Sequence, residues 1–102
     1  MIYQFLANGF EDIEALAPVD ILRRGGLEVR TVSITGSEFV ESAHGVTVRA
    51  DVTFEDAGDF ADADMLLLPR WGLKNYEFVN RLNARLNDKH NARLNAGPAQ
   101  RR

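Results

Sequence analysis

Apolar residues run from Ile2 to Ala7 and are broken by Asn8-Gly9, so this stretch reads as a buried strand ending in a turn. From Phe10 to Arg24 the apolar spacing becomes helical. Glu11 and Asp12 fall in the first turn, where carboxylates complement the helix dipole. Arg23 and Arg24 close the last turn, and Gly25-Gly26 supply a left-handed stop. Leu27–Ile34 alternates apolar and polar positions and is rich in β-branched residues, which predicts a second strand. Residues 2–34 are therefore expected to form a strand–helix–strand unit with a parallel pair and a right-handed crossover.

Two shorter strand signals, Phe39–Ser42 and Val46–Ala50, flank Ala43-His44-Gly45 and predict a small hairpin or flap. Glu55–Asp64 is acidic and reads as a loop or a single helical turn. Met65–Leu68 is a continuous apolar run closed by Pro69, the pattern of a strand buried on both faces. Residues 1–69 thus predict an open α/β sandwich of three parallel strands and a flap. Such a short sheet leaves edges that risk aggregation unless a tail helix or a second copy covers them.

Residues 70–102 differ in character. Arg81–Ala96 divides into four related tetrapeptides, Arg-Leu-Asn-Ala, Arg-Leu-Asn-Asp, Lys-His-Asn-Ala and Arg-Leu-Asn-Ala. A helix from about Asn75 to Asn95 would gather Leu82, Leu86, His90 and Leu94 into a loose seam, with Arg81, Arg85, Lys89 and Arg93 beside it. Gly97-Pro98 would end it.

The chain has 102 residues, enough for one small domain. No apolar run approaches the roughly 20 residues of a membrane span. The opening Met1-Ile2-Tyr3-Gln4-Phe5 shows no basic leader, so a cytoplasmic location is expected. There is no cysteine, which excludes disulfides, zinc–thiolate sites, iron–sulfur clusters and a thiolate nucleophile within these residues. The net charge of −3 hides a split: residues 1–69 hold four basic and thirteen acidic side chains, and residues 70–102 hold eight basic against Glu77 and Asp88.

Glu14 is the first candidate for chemistry. It lies one turn into a helix that follows a strand's carboxyl end, where open α/β sheets place their ligands. Pro18 follows four residues later and has no amide hydrogen for the Glu14 carbonyl. Glu14 is either a site residue or a solvated first-turn carboxylate. His44 is either a ligand or an exposed turn residue, and His90 occupies a seam position that holds Leu in the other repeats. The acidic group Glu55, Asp56, Asp59, Asp62 and Asp64 lacks the spacing of a calcium loop, so no metal site is expected. Gly25-Gly26 belongs to no phosphate loop, and no Gly-x-Ser-x-Gly elbow occurs. Nothing calls for a cofactor. In the tail, Trp71, Tyr76 and Phe78 cluster ahead of the basic stripe rather than among it, which disfavours nucleic-acid binding.

Residues Phe5 to Arg24, FLANGFEDIEALAPVDILRR, strongly resemble the opening of the DJ-1/PfpI family. The likeness continues through Leu27–Ile34, Ala43–Val48 and Asp64–Pro69, about two thirds of the chain, and it resembles especially the bacterial members, some of which carry a thiazole-biosynthesis label. The resemblance implies a flavodoxin-like α/β fold, usually homodimeric. It also implies a cysteine nucleophile on a strand-to-helix elbow, tuned by a first-helix glutamate that Glu14 matches. Gly9, His44 and Pro69 would line the pocket, and the ligand would be a small 2-oxoaldehyde or its adduct. Family members are described as glyoxalase III or deglycase enzymes, chaperones or peptidases.

Three departures follow. The family's Pro-Gly-Gly turn reads Pro69-Arg70-Trp71, with bulky side chains where close backbone approach needs glycine. Gly72–Tyr76 only echoes the stretch that comes next. The nucleophile elbow and the later histidine-bearing region have no counterpart. The expectation is a truncated or frame-disrupted member with a low-complexity end, or a deliberately shortened one, of which the repeat favours the first. It would keep the pocket glutamate without thiol chemistry. The alternatives are a non-catalytic module that self-associates through the first helix, and weak nucleic-acid binding by the tail.

Overall fold

The computed structural model describes residues 1–68 and 75–94, with the side chains of residues 77–87 in the second segment. The elements in chain order are β1 (Ile2–Leu6), α1 (Asp12–Arg24), β2 (Val29–Ser33), β3 (Phe39–Glu41), β4 (Thr47–Arg49), β5 (Val52–Thr53), β6 (Met65–Leu67) and α2 (Asn75–Leu94). Four strands form one parallel sheet in the order β5-β2-β1-β6, and β3 and β4 form a separate antiparallel hairpin. Ile2 lies opposite Val29 and Leu6 opposite Ser33, so the predicted β1–α1–β2 unit stands.

The alternation of β1 sorts the core into two layers. Ile2 and Leu6 point to the α1 side. Ile2 joins Val19 and Val29, and Leu6 joins Phe10, Ala15, Val40 and Ala50. Tyr3 and Phe5 point to the other face, where Val32, Phe54, Phe60, Phe78 and Leu82 complete an aromatic-rich cluster. Phe78 of α2 sits 5.0 Å from Phe5 and 5.1 Å from Phe54 between ring centroids. Such ring pairs contribute about 0.5–1.5 kcal/mol each beyond simple burial. The helix predicted over 75–95 is therefore present, and its seam packs as expected at Leu82 and Leu86. His90, Leu94 and the stop at Gly97-Pro98 lie outside the described side chains and residues.

Arginine completes the docking of α2. The Arg85 guanidinium lies 3.7 Å from the Phe54 ring centre and donates to the carbonyls of Phe54 and Gly58, at 2.7 and 3.0 Å. Arg81 reaches Glu55 at 3.4 Å. Part of the basic stripe thus rests on the acidic loop of the same chain. That loop is fixed at its other end as well. The Tyr3 hydroxyl donates to Asp62 at 2.6 Å, and the Met1 amino group to Asp64 at 2.6 Å. Burial pushes the Tyr3 hydroxyl pKa up to about 12, and its bond to Asp62 adds to the shift.

Two strand expectations are corrected. β5 adds a fourth parallel strand, too short for a pattern of its own and paired through Val32–Val52 and Ser33–Thr53. Met65–Leu68 is not buried on both faces: Met65 is 50% and Leu68 47% exposed. β6 is the last strand in the sheet order and pairs only with β1 among the described residues, so one side of its apolar run lacks a neighbour. No helix among the described residues is long and apolar enough to cross a membrane.

Candidate functional site

The carboxyl end of β1 passes through Ala7-Asn8-Gly9-Phe10 into α1. Gly9 has φ +88°, a left-handed conformation that glycine adopts without strain. The β3–β4 flap is latched to this turn by hydrogen bonds to its main chain and to the Asn8 side chain. The Gly9 N–H donates to the Glu41 carbonyl at 2.8 Å, and the Glu41 N–H donates to Asn8 Oδ1 at 3.0 Å. The Ala43 N–H donates to the Phe10 carbonyl at 2.8 Å, and Phe10 and Ser42 form an isolated parallel bridge. Phe10, fully buried, anchors the turn in the α1-side core.

At the flap tip, Ser42 Oγ accepts the N–H groups of Val46 at 3.0 Å and His44 at 3.2 Å. His44 Nδ1 lies 3.3 Å from Asp12 Oδ1 in the first turn of α1. Burial pushes the Asp12 carboxyl pKa up, but the Ser42 hydroxyl and His44 outweigh it and hold the carboxyl below its ordinary value. Ser42 therefore accepts two hydrogen bonds and shares its own proton with Asp12. That leaves no free lone pair for nucleophilic attack.

Glu14 lies in the first turn of α1, exposed, and makes no hydrogen bond or ion pair among the described residues. Its carbonyl faces Pro18 inside the helix, which has no N–H to donate. Gly9 and His44 are joined through the flap latch, the first by Glu41 and the second by Asp12. Among the described residues no hydrogen bond or ion pair joins either to Glu14. Pro69 and Trp71 lie outside the described residues.

Among the described residues two clefts are clear, and Glu14, Gly9 and His44 line neither. One of about 600 Å³ sits at the amino ends of the strands among Met1, Arg23, Glu28, Arg30 and Asp51. The other, of about 370 Å³, lies between Ile34 and α2, beside Phe78 and Arg81. No group of three or more metal-ligating side chains occurs among the described residues.

Sequence reasoning singled out Glu14, Gly9 and His44, and it did not single out Asp12, Ser42 and Glu41, which organise the turn. His44 and Asp12 are 32 positions apart, so no local pattern joins them. Asn8-Gly9 signalled the turn but not the flap that seals it.

The sequence model of the DJ-1/PfpI family matches residues 1–82. Among curated proteins, the Parkinson disease protein 7 homolog of Danio rerio is 38% identical over 64 residues, covering 63% of this chain and 34% of that protein. Protein DJ-1 homolog B of Arabidopsis thaliana is 36% identical over 64 residues, covering 63% of this chain and 14% of that protein. Among solved structures, oxidized DJ-1 of Toxoplasma gondii superposes with a TM-score of 0.73 at 29% identity, over 85% of this chain and 48% of the other. A DJ-1 superfamily protein of Salmonella typhimurium superposes with a TM-score of 0.65 at 32% identity, over 81% of this chain and 49% of the other. The chain thus spans about a third of the zebrafish relative and about half of the solved chains.

Proposed function

Because the chain belongs to the DJ-1/PfpI family, we propose that its 102 residues form the carboxylate-bearing half of that family's pocket and carry out no thiol chemistry of their own. The observation behind this reading is the exposed Glu14 in the first turn of α1 in a chain without cysteine. Chemistry on 2-oxoaldehydes of the glyoxalase or deglycase kind needs a nucleophile to add to the aldehyde carbon. A carboxylate tunes such a nucleophile and moves its proton, but a glutamate alone leaves the carbonyl unattacked.

The test is direct. Purified chain mixed with methylglyoxal is expected to consume it no faster than buffer does, and intact-mass analysis should show no stable adduct at a defined site. Turnover above background that disappears in Glu14→Gln would overturn the reading.

A second, non-catalytic reading rests on a different observation. Ile13 is 79% and Ile21 64% exposed on the outer side of α1, with Val46 of the flap 47% exposed. Three large apolar side chains on one helix and the flap latched to it suit a homodimer built on α1.

A further inference from the structure

Asn8-Gly9 is the only Asn-Gly pair in the sequence, and the flap holds both of its reacting groups. We propose that Asn8 is a site of spontaneous succinimide formation, gated by the β3–β4 flap. This inference does not depend on the functional reading above.

In the reaction the Gly9 amide nitrogen gives its proton to water or hydroxide and attacks Cγ of Asn8. A nitrogen–Cγ bond forms, the Cγ–Nδ2 bond breaks, and Nδ2 takes up a proton from water and leaves as ammonia. Water then opens the five-membered imide at either carbonyl. One opening gives aspartate. The other gives isoaspartate, with the main chain rerouted through the side-chain carbon. The net exchange is one water for one ammonia, and no other reactant is needed. Glycine favours the attack because no Cβ shields its nitrogen, and both residues are exposed to solvent.

Two hydrogen bonds from the flap hold the reacting groups. The nucleophilic nitrogen is tied to the Glu41 carbonyl at 2.8 Å, and the Asn8 amide oxygen to the Glu41 N–H at 3.0 Å. The second bond also polarises Cγ, which taken alone would favour attack. The first bond decides the outcome, because the ring cannot close until the Gly9 nitrogen is deprotonated and released. Closure therefore waits for the flap to lift, a local opening rather than global unfolding.

The two products differ in effect. Aspartate keeps an acceptor for the Glu41 N–H and adds a charge beside Glu11 and Asp12. Isoaspartate lengthens the main chain by one carbon between residues 8 and 9, so both Glu41 bonds cannot re-form. The isoaspartate form would hold the flap away from the turn that leads to Glu14.

The experiment holds the full chain in mildly alkaline buffer, folded and in urea, and follows the peptide containing Asn8 by mass. Isoaspartate is read separately by methyl transfer from S-adenosylmethionine with a protein isoaspartyl methyltransferase. Conversion at Asn8 is expected in both states and at least about tenfold slower in the folded chain. Asn8→Gln should show no conversion there, because its ring would need six members. Ser42→Ala, which removes the acceptor at the flap tip, should speed hydrogen exchange of the Gly9 amide and conversion of Asn8 in parallel. Equal rates in the folded and urea-unfolded chain, or faster Gly9 exchange without faster conversion, would remove the flap as the gate. No conversion in urea would remove the site itself.

Discussion

Gln4 and Glu14 are polar residues of one βα unit with opposite surroundings. Gln4 is 1% exposed in the middle of β1, on the strand face that α1 covers. Its Nε2 reaches the Phe5 carbonyl only at 3.4 Å, and its Oε1 meets no donor among the described residues. A buried acceptor left unpaired costs roughly 1–3 kcal/mol. Methionine has a similar length and no such group, so Gln4→Met is expected to raise stability by about 1 kcal/mol. A urea midpoint that rises at unchanged slope is the confirming result. A midpoint that falls would mean that a buried water satisfies Oε1 and that the glutamine is part of a closed network. Glu14 lies in solvent and its carboxylate makes no hydrogen bond or ion pair among the described residues. The run Ile2–Ala7 is legible as a strand, but its central polar residue carries no mark of being buried unpaired. The pattern encodes the element and not the partner of each atom.

At the scale of elements, Asp51 shows how a two-residue strand survives. β5 has too few ladder bonds to hold itself, and Asp51 immediately before it supplies side-chain bonds to β2. Its Oδ2 accepts the Thr31 N–H at 2.9 Å and the Thr31 hydroxyl at 3.0 Å, and pairs with Arg23 at 2.8 Å. The Asp51 N–H in turn donates to Thr31 Oγ1 at 2.8 Å. Burial pushes this carboxyl pKa up, but the Thr31 bonds and the Arg23 charge prevail and hold it below its ordinary 3.8. A carboxyl that ionises more readily folded than unfolded adds stability above the unfolded value. That stability is lost as pH falls through the lower folded value. Asp51→Asn is therefore expected to cost about 1 kcal/mol near neutrality, a modest figure because the pair is half exposed. It should also flatten the decline in stability below about pH 4. Urea titrations of both chains across that range decide it, and parallel curves would show that Asp51 contributes nothing to the acid limb. The same contrast explains what the sequence revealed of the fold. β1, α1 and β2 were legible because each carries a complete local period, and α2 because Leu82 and Leu86 recur in a four-residue repeat; the packing of Phe78 ahead of that repeat was not. β5 was not, because its cause lies 20 residues away in Thr31. The burial of β6 was overestimated because four apolar residues in a row look alike whether they have two neighbouring strands or one.

For the whole molecule, the charge split sets two models of self-association against each other. If the acidic body and the basic tail paired between copies, added salt would dissolve the assembly, since a Debye length of about 10 Å at 0.1 M shrinks to about 3 Å at 1 M. Within one chain, however, Arg81 already meets Glu55, and Arg85 spends its donors on the Phe54 and Gly58 carbonyls while stacking on the Phe54 ring. Those two arginines are committed in cis, and most of what Arg85 touches is uncharged. Among the described residues, α1 offers a second copy an exposed apolar pair, Ile13 and Ile21, with Ala17 half-buried between them. A hydrophobic contact of this kind is indifferent to salt or slightly strengthened by it. Sedimentation at low and high ionic strength is therefore expected to show the same dimer. Ile13→Glu, at a position 79% exposed, should give a folded monomer with an unchanged helical circular-dichroism signal, because the side chain supports no core. A dimer that dissociates in salt and survives Ile13→Glu would instead locate the contact in the charged tail. A monomer under both conditions would leave the outer face of α1 without a partner of its own kind.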